Sequence, residues 1–405
     1  MIATDYCKKV FDGTHDSPKP VENGRLLITS KHIANRSLDI SSAYLISEED
    51  FENVNKRSQV HQWDILFSMI GTVGNVYIET SEKIDYAIKN MGVFSCQNKE
   101  KAYWLYYYLQ SPLIQAKIDA LMAGAVQKFV PLGFLRDLDI PEYTEKSKKV
   151  VQVLSALDDK IALNKKMNQK LEAMAKRLYD YWFVQYDFPD KNGHPYKTTG
   201  GPMTYNPTLK REIPAGWEVN VVGDVCETVL GGTPSTENES YWNGNIPWLN
   251  SGEVAEFPIL NAEKRITEDA VKNSATAYLP AGSVTLSITR HLRPSIMAID
   301  ACINQSVAGI KENDILKNGY LYPYLVNEIP RLNTLRGGAQ QPHINKDTVD
   351  KSPIALPTQN VLHQYYEKVN PLYNEIIEKA KESQKLTTLR DKLLPLLMNG
   401  QVVVR

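Results

Sequence analysis

The stretch KKVVQVLSALDDKIALNKKMNQKLEAMAKRLYDYWF, residues 148–183, decides the architecture of the chain. Its apolar residues recur at alternating steps of three and four, a spacing typical of a helix that packs along one seam against another helix. At about 1.5 Å per residue, such a helix is about 54 Å long. The seam residues are Val150, Leu154, Leu157, Ile161, Leu171, Ala175, Leu178 and Trp182. Asn164 and Asn168 interrupt the seam with polar side chains.

The helical stretch occurs a second time near the C-terminal end. NQKLEAMAKRL from Asn168 matches SQKLTTLRDKL from Ser383, an offset of 383 − 168 = 215. If the two helices run antiparallel, their polar centres meet, and such a layer fixes register at a cost in stability. Pro371 predicts a kink or a late start for the second helix. An ordinary core helix is the alternative, but the length and the polar outer face favour a coiled coil. The second seam contains Leu372, Ile376, Leu386 and Leu393.

The chain upstream of each helix is also repeated. Gly13-Thr14 aligns with Gly232-Thr233 at an offset of 232 − 13 = 219. The same offset places ILFS, residues 65–68, on VTLS, residues 284–287. GAVQKFV from Gly124 matches GAQQPHI at an offset of 338 − 124 = 214. The matched blocks occur in the same order in both copies, with nearly the same offset in residue number, which predicts an internal duplication.

Each copy contains short β-rich runs that are broken by Gly, Pro and Asn, such as WDILFSMIGTVGNVYI and GSVTLSITRHLRPSIMAID. In each copy these runs are followed by one stretch whose apolar residues have the spacing of a helix. The predicted fold class is α+β, with two pseudo-repeated mixed α/β domains separated by a long antiparallel two-helix coiled coil. The predicted segments are a first domain (1–143), a helix (144–186), a linker (187–213), a second domain (214–358), a second helix (359–398) and a C-terminal strand (399–405).

The two copies differ at their beginnings. The strand-like run GWEVNVV precedes the second domain, whereas Met1 aligns near Asn220, so the first copy lacks that strand. The run GQVVVR at the end of the chain is a candidate replacement. We expect residues 401–405 to pair as a strand with the first domain.

Composition excludes several classes of protein. A chain of 405 residues exceeds one ordinary core. It has neither an 18-residue apolar run nor an apolar leader, which predicts a soluble, cytoplasmic protein without a membrane partner. Four widely separated cysteines indicate buried thiols rather than a metal site or disulfides. The sequence has no phosphate loop, no GxGxxG motif and no HExxH motif, so we expect no catalytic residue.

A protein that presents two copies of one surface is suited to bind a DNA target made of two half-sites. Because the net charge is −1, any DNA interface must be local. Arg290, His291 and Arg293 share one loop, and arginine suits guanine or phosphate. For each candidate, an ordinary surface polar group is the alternative. The candidate DNA-binding residues are Thr14, His15, Ser68, Thr72, Asn75, Gln127 and Lys128 in the first copy, and Thr233, Arg290, His291, Arg293, Gln340, Gln341 and His343 in the second.

The chain resembles a known family along nearly its whole length. QKLEAMAKRLYDYWFVQYDFPDKNGHPYKTTGG and MTYNPTLKREIPAGWE resemble the central conserved region and linker of the specificity subunits of type I restriction-modification systems. GGTPSTENESYWNGNIPWLNSGEV resembles the opening of a target recognition domain in that family, and GAVQKFV resembles a recurring element of those domains.

The resemblance implies two target recognition domains that read the two parts of a split double-stranded DNA site, with the helices setting the gap. It implies that two methyltransferase (modification) subunits dock on the helices and that restriction/translocase subunits complete the complex. AdoMet, ATP and Mg²⁺ then belong to those partners, and this chain holds no cofactor and no metal.

Two alternatives stay open at this point. An unseen nuclease or fused restriction-methylation enzyme would show clustered carboxylates with a lysine. A coiled-coil adaptor without DNA affinity would not respond to replacement of Arg290 and Arg293.

Overall fold

The computed structural model describes residues 1–123, 129–338 and 342–404. Two compact units are present, Met1–Ile161 with Lys385–Arg405 (the first unit) and Ala162–Gln384 (the second unit). Each unit has its own hydrophobic cores. All four cysteines are buried and free, as the sequence indicates. Within the described part of the chain, no helix is both long and apolar enough to cross a membrane.

The first unit contains two main sheets. One has the antiparallel order β1-β9-β6-β7, and the other has the order β5-β2-β8, in which β2 and β8 are parallel. The strands are β1 (Lys9–Asp12), β2 (Arg25–Thr29), β3 (Ile33–Ala34), β4 (Ser37–Leu38), β5 (Tyr44–Ile46), β6 (Asp64–Ser68), β7 (Val76–Ile78), β8 (Tyr86–Lys89) and β9 (Met91–Ser95). The helices are α1 (Ala3–Tyr6), α2 (Glu48–Ser58), α3 (Lys99–Leu109), α4 (Pro112–Met122), α5 (Leu132–Arg136) and the start of α6 (Glu145–Tyr179).

The second unit repeats this topology and adds one edge strand, β16, to the second sheet. Its sheets have the orders β13-β20-β17-β18 and β15-β14-β19-β16, and β14 and β19 are parallel. The strands are β10 (Met203–Asn206), β11 (Arg211–Pro214), β12 (Glu218–Val221), β13 (Thr228–Leu230), β14 (Ile246–Leu249), β15 (Lys264–Ile266), β16 (Ala277–Leu279), β17 (Val284–Ser287), β18 (Arg293–Ile296), β19 (Ala301–Ile303), β20 (Val307–Ile310) and β21 (Pro353–Leu356). The helices are α7 (Val222–Val225), α8 (Glu268–Lys272), α9 (Asn318–Thr334), α10 (Lys346–Asp350) and most of α11 (Gln359–Met398).

Equivalent strands keep equivalent partners. Ile65 on β6 lies opposite Phe94 and Ile78, and its counterpart Val284 on β17 lies opposite Ile310 and Ile296. The repeat in the sequence is therefore a repeat of the sheet topology.

Strand β6 is buried on both faces because its side chains alternate between two cores. Ile65 and Phe67 pack in the core that also contains α3, whereas Leu66 packs in the core beneath β2 and β8. All five residues of β6 are buried. This central strand therefore fixes the position of the turn that follows it.

The long helices contact each other antiparallel within the second unit. Asn164 Nδ2 on α6 donates to Glu382 Oε2 on α11 at 2.8 Å, and Asn168 Nδ2 donates to the Ile376 carbonyl oxygen at 3.0 Å. From the first contact to the second, the residue number rises on α6 and falls on α11, so the contacting parts of the two helices run in opposite directions. Five of the seam residues are buried: Val150, Leu154, Ala175, Trp182 and Ile376. The leucines and isoleucine among the rest are partly buried: Leu157, Ile161, Leu171, Leu178, Leu372, Leu386 and Leu393.

The alternative of a late start at Pro371 is wrong. Helix α11 begins at Gln359 and includes Pro371. Val369 and Tyr373 on either side of the proline are buried in the core of the second unit. Tertiary packing of this kind offsets the hydrogen bond that a proline removes from a helix.

The predicted C-terminal strand is also wrong over the described residues 401–404, which form no strand. Gly400 has a φ of +70°, and the N–H groups of Gln401 and Val402 donate to the Leu396 carbonyl oxygen at 2.9 and 3.2 Å. These amides complete the end of α11 and are not available for a strand ladder. Val404 nevertheless packs against a core of the first unit.

The beginnings of the copies differ as expected. Strand β12 pairs with β21 over four residues, whereas Ile2 makes one isolated bridge, to Asp139. The segment expected to be a linker is itself folded, with the hairpin β10–β11. Phe188 stacks on Tyr196 and on Trp217, with ring centroids 4.6 and 5.4 Å apart.

Candidate nucleic-acid interface

Two loops that are distant in sequence meet in the second unit. The turn between β17 and β18 bridges the segment after Gly337, because Thr289 pairs with His343. The Ile344 N–H donates to the Ile288 carbonyl oxygen at 3.0 Å. Gly337 and His343 exchange backbone hydrogen bonds of 3.0 and 2.9 Å. Residues 289–293, 336–338 and 342–343 therefore form one surface, which we call the second loop surface.

This surface presents basic side chains around an apolar anchor. Leu292 is buried in the core of the unit, whereas Arg290, His291 and Arg293 on either side of it are exposed. Arg290 has a φ of +56°, in the left-handed region that few residues other than glycine adopt. The turn thus projects two guanidinium groups and an imidazole outward, and His343 is exposed beside them. Such groups suit guanine edges and phosphates.

Sequence reasoning missed Arg336. Its Nη2 donates to the carbonyl oxygens of Arg290 and Pro342, the second at 2.6 Å. Arg336 therefore joins both loops of the surface. A signal was available, because Arg336 directly precedes the glycines of the repeated Gly-Ala element.

The first unit has an equivalent arrangement. Ile70, in the turn between β6 and β7, bridges Phe129, and the Val130 N–H donates to the Met69 carbonyl oxygen at 3.0 Å. Thr72 is exposed in this turn. The side chains of Ser68 and Asn75 instead bond inward, Ser68 Oγ to the Ile70 carbonyl oxygen at 3.2 Å and Asn75 Nδ2 to the Ile33 carbonyl oxygen at 2.9 Å.

The candidates Thr14 and His15 lie close to this turn. Thr72 Oγ1 donates to the Ser30 carbonyl oxygen, and Ser30 Oγ donates to the Asn90 carbonyl oxygen at 3.0 Å. The Asn90 N–H donates to the Thr14 carbonyl oxygen at 3.1 Å, and Asn90 Oδ1 lies 2.9 Å from His15 Nδ1. His15 is exposed and Thr14 is buried. The first loop surface consists of residues 70–75, 129, 14–15, 30 and 90.

Thr233 occupies the corresponding place in the second unit. Its hydroxyl donates to Gln305 Oε1, and the next residue, Ser306, accepts a 3.0 Å bond from the Ile288 N–H through its carbonyl oxygen. The structure therefore connects Thr233 to the second loop surface. Gln127, Lys128, Gln340 and Gln341 lie outside the described residues.

A buried histidine supports the first loop surface. Nδ1 of His32 accepts a 2.8 Å hydrogen bond from the Thr29 N–H, which requires the neutral ring. Burial lowers the pKa of His32 below its ordinary value. Within the described ranges, no group of three His, Cys, Asp or Glu residues is placed to hold a metal ion.

The chain contains two copies of one mixed α/β domain, and each copy has a loop surface at the same place in its topology. This arrangement defines a protein with duplicated recognition domains. The model of the family described as "Type I restriction modification DNA specificity domain" matches residues 20–173 and 214–388. The chain belongs to this family and is a specificity subunit of a type I restriction-modification system.

Known relatives agree with this assignment. The MjaIX specificity subunit of Methanocaldococcus jannaschii is 26% identical over 311 residues, which are 74% of this chain and 69% of the relative. The HindI specificity subunit of Haemophilus influenzae is 22% identical over 318 residues, 65% of this chain and 69% of the relative. The crystal structure of the S subunit from M. genitalium is similar in fold, with a TM-score of 0.56 at 13% identity, over 98% of this chain and 95% of that one.

Proposed function

We propose that this specificity subunit binds a bipartite double-stranded DNA target, with each loop surface contacting one part. The observation that carries the proposal is the repeated bridge between the β-hairpin turn and the sixth residue of the Gly-Ala element, Ile70 to Phe129 and Thr289 to His343. One framework thus presents two loop surfaces at equivalent places. DNA readers that recognise paired half-sites use repeated surfaces in this way.

Different side chains on the two surfaces favour different half-sites. The second loop surface carries Arg290, His291 and Arg293, whereas the turn of the first carries Thr72 between glycines. Arginine donates in a fixed fork to guanine or to phosphate, and a threonine hydroxyl contacts several bases. Phosphate contacts position the domain and base contacts specify the sequence.

The proposal assigns the gap between the half-sites to α6 and α11 as a long antiparallel coiled coil. Support comes from the antiparallel contacts of Asn164 and Asn168 with α11. Leu163, Met174 and Leu389 on these helices are large, apolar and exposed. The proposal places a protein partner on these helices, although the three side chains are scattered along them and do not by themselves define a docking patch.

We assign that partner role to two methyltransferase (modification) subunits, with restriction/translocase subunits completing the complex. AdoMet, ATP and Mg²⁺ belong to those partners, and this chain contributes recognition without catalysis. The support is its membership of the specificity-subunit family.

Co-purification with candidate methyltransferase subunits, followed by selection from a randomised DNA library at several salt concentrations, tests the proposal. The expected result is enrichment of a split motif with one fixed gap. Affinity should fall as salt rises, because phosphate contacts release counterions. A complex that forms without enriching any motif would favour the adaptor alternative.

A further inference from the structure

We propose that Arg336 is a positioning residue of the second loop surface: it holds the two loops in one arrangement and thereby sets sequence selectivity for one part of the target. The inference deepens the proposed function and rests on it for the part that concerns DNA. The part that concerns loop arrangement rests on the geometry of this chain.

The geometry is a clamp made by one side chain. Arg336 Nη2 donates to the carbonyl oxygen of Arg290, 46 residues away, and to that of Pro342, six residues away. These carbonyls lie on opposite loops of the surface, next to the side chains His291 and His343. A guanidinium has five N–H donors in a rigid plane, so it can hold two acceptors at a fixed separation.

The clamp acts where the backbone needs support. Arg290 adopts a left-handed φ of +56°, which is unfavourable for a residue with a side chain. The bond from Arg336 to the carbonyl oxygen of the same residue stabilises that conformation. The direction in which the Arg290 and His291 side chains leave the turn depends on it.

At the aligned position, the first copy has a methionine in place of an arginine. Gly338 aligns with Gly124 at an offset of 338 − 124 = 214, so Arg336 aligns with Met122. Met122 packs against a core of the first unit. Loss of Arg336 should therefore affect one part of the target and leave the other unchanged.

Direct contact between Arg336 and a phosphate is the competing explanation, and salt dependence separates the two. A lost phosphate contact lowers the slope of log affinity against log salt by about one and weakens all sequences alike. A lost positioning residue relaxes selectivity at one half-site and leaves the slope unchanged.

The experiment compares Arg336→Ala, Arg336→Lys and the control Asn333→Ala, which removes a third, 3.5 Å acceptor of the same guanidinium. Hydrogen exchange is first measured by mass spectrometry on the full chain without DNA. We expect at least tenfold faster exchange at residues 288–293 and at the amides of Gly337 and His343 in Arg336→Ala, because these amides lose their support. Arg336→Lys, which keeps the charge but not the fork, should show a smaller increase, and Asn333→Ala should match the wild type.

The same variants are then bound to methyltransferase subunits and used for target selection. Arg336→Ala should enrich one wild-type half-site and a degenerate second half-site, with an unchanged salt slope. Exchange that stays at the wild-type rate in both Arg336 variants overturns the positioning role, whatever happens with DNA. Uniform weakening with a lower slope overturns it in favour of a phosphate contact. If the wild-type complex selects no split motif, the proposed function fails, while exchange still decides whether Arg336 holds the loops.

Discussion

Replacement of Asp158 by Asn should destabilise the first unit strongly, because this carboxylate lies at the centre of a cluster of ionic and polar groups. Its Oδ1 accepts a 2.6 Å bond from Arg390 Nη1, and its Oδ2 accepts a 2.7 Å bond from the Tyr107 hydroxyl. Arg36, at the tip of the β3–β4 turn, lies 4.0 Å from Asp158 and 3.3 Å from Asp391. The Arg390 side chain is only 10% exposed, so it has little access to water as an alternative partner.

Removal of one partner from a buried ion pair costs about 3–5 kcal/mol, since the remaining charge stays buried. Two features reduce this value here. Arg390 keeps Asp391 at 2.9 Å, and Asp158 itself is 21% exposed. An amide oxygen can still accept from Tyr107. We therefore expect a loss of roughly 2–4 kcal/mol in the free energy of unfolding of the first unit.

Urea unfolding of Asp158→Asn, with hydrogen exchange to identify which unit opens, measures this loss. Asp391→Asn is the matched control, because its carboxylate is 51% exposed and exposed pairs contribute at most about 1 kcal/mol. The double variant Asp158→Leu/Arg390→Met should lose less than Asp158→Asn, because it leaves no unpaired charge in the cluster. A loss below about 1 kcal/mol in Asp158→Asn would show that the pair behaves as an exposed surface pair and not as a buried one.

Three further predictions follow from other residues. Asn164→Leu should raise the stability of the second unit, because it removes a buried amide whose Oδ1 has no hydrogen-bond partner. The same variant should select DNA targets with a wider range of gap lengths, because the polar layer no longer fixes the register of the helices. Calorimetry and target selection test these effects, and a single unchanged gap length would count against a register role. Arg290→Ala should cost about 1–3 kcal/mol on one half-site if the side chain reads a base, and weaken all targets alike if it holds phosphate; unchanged binding would remove it from the interface. The free energy of unfolding of the wild type should be full above pH 6.5, the ordinary pKa of His32, and should fall below it. The reason is that the ring takes up a proton in the unfolded chain at a higher pH than in the folded one. His32→Gln should lack this fall, and parallel pH profiles of the two proteins would contradict a lowered pKa for His32.

The sequence predicted features that depend on local spacing. The β-rich runs that contain ILFS and VTLS indicated strands, and clusters of glycine, proline and asparagine marked the breaks between them. The polar interruption at Asn164 and Asn168 predicted where the long helices place polar groups. Each of these signals lies within a few residues of the element that it describes.

The features that were missed depend on contacts between distant residues. The sequence places Arg336 beside the glycines of the repeated Gly-Ala element, but its bond to the Arg290 carbonyl oxygen, 46 residues away, depends on the fold. Ser68 and Thr72 are only four residues apart, yet only Thr72 is exposed, because Ser68 is the last residue of the buried strand β6. The valines at the end of the chain have strand propensity, but the end of α11 uses the neighbouring amides.

We propose that each loop surface contacts its own part of a split DNA target. The most direct test places a photo-crosslinking amino acid at Thr72 in one variant and at His291 in another, both exposed positions, and maps the crosslinked bases within a selected target bound by the complex. We expect crosslinks from position 72 to one half-site, crosslinks from position 291 to the other, and none in the gap. Crosslinks from both positions to the same half-site would contradict it.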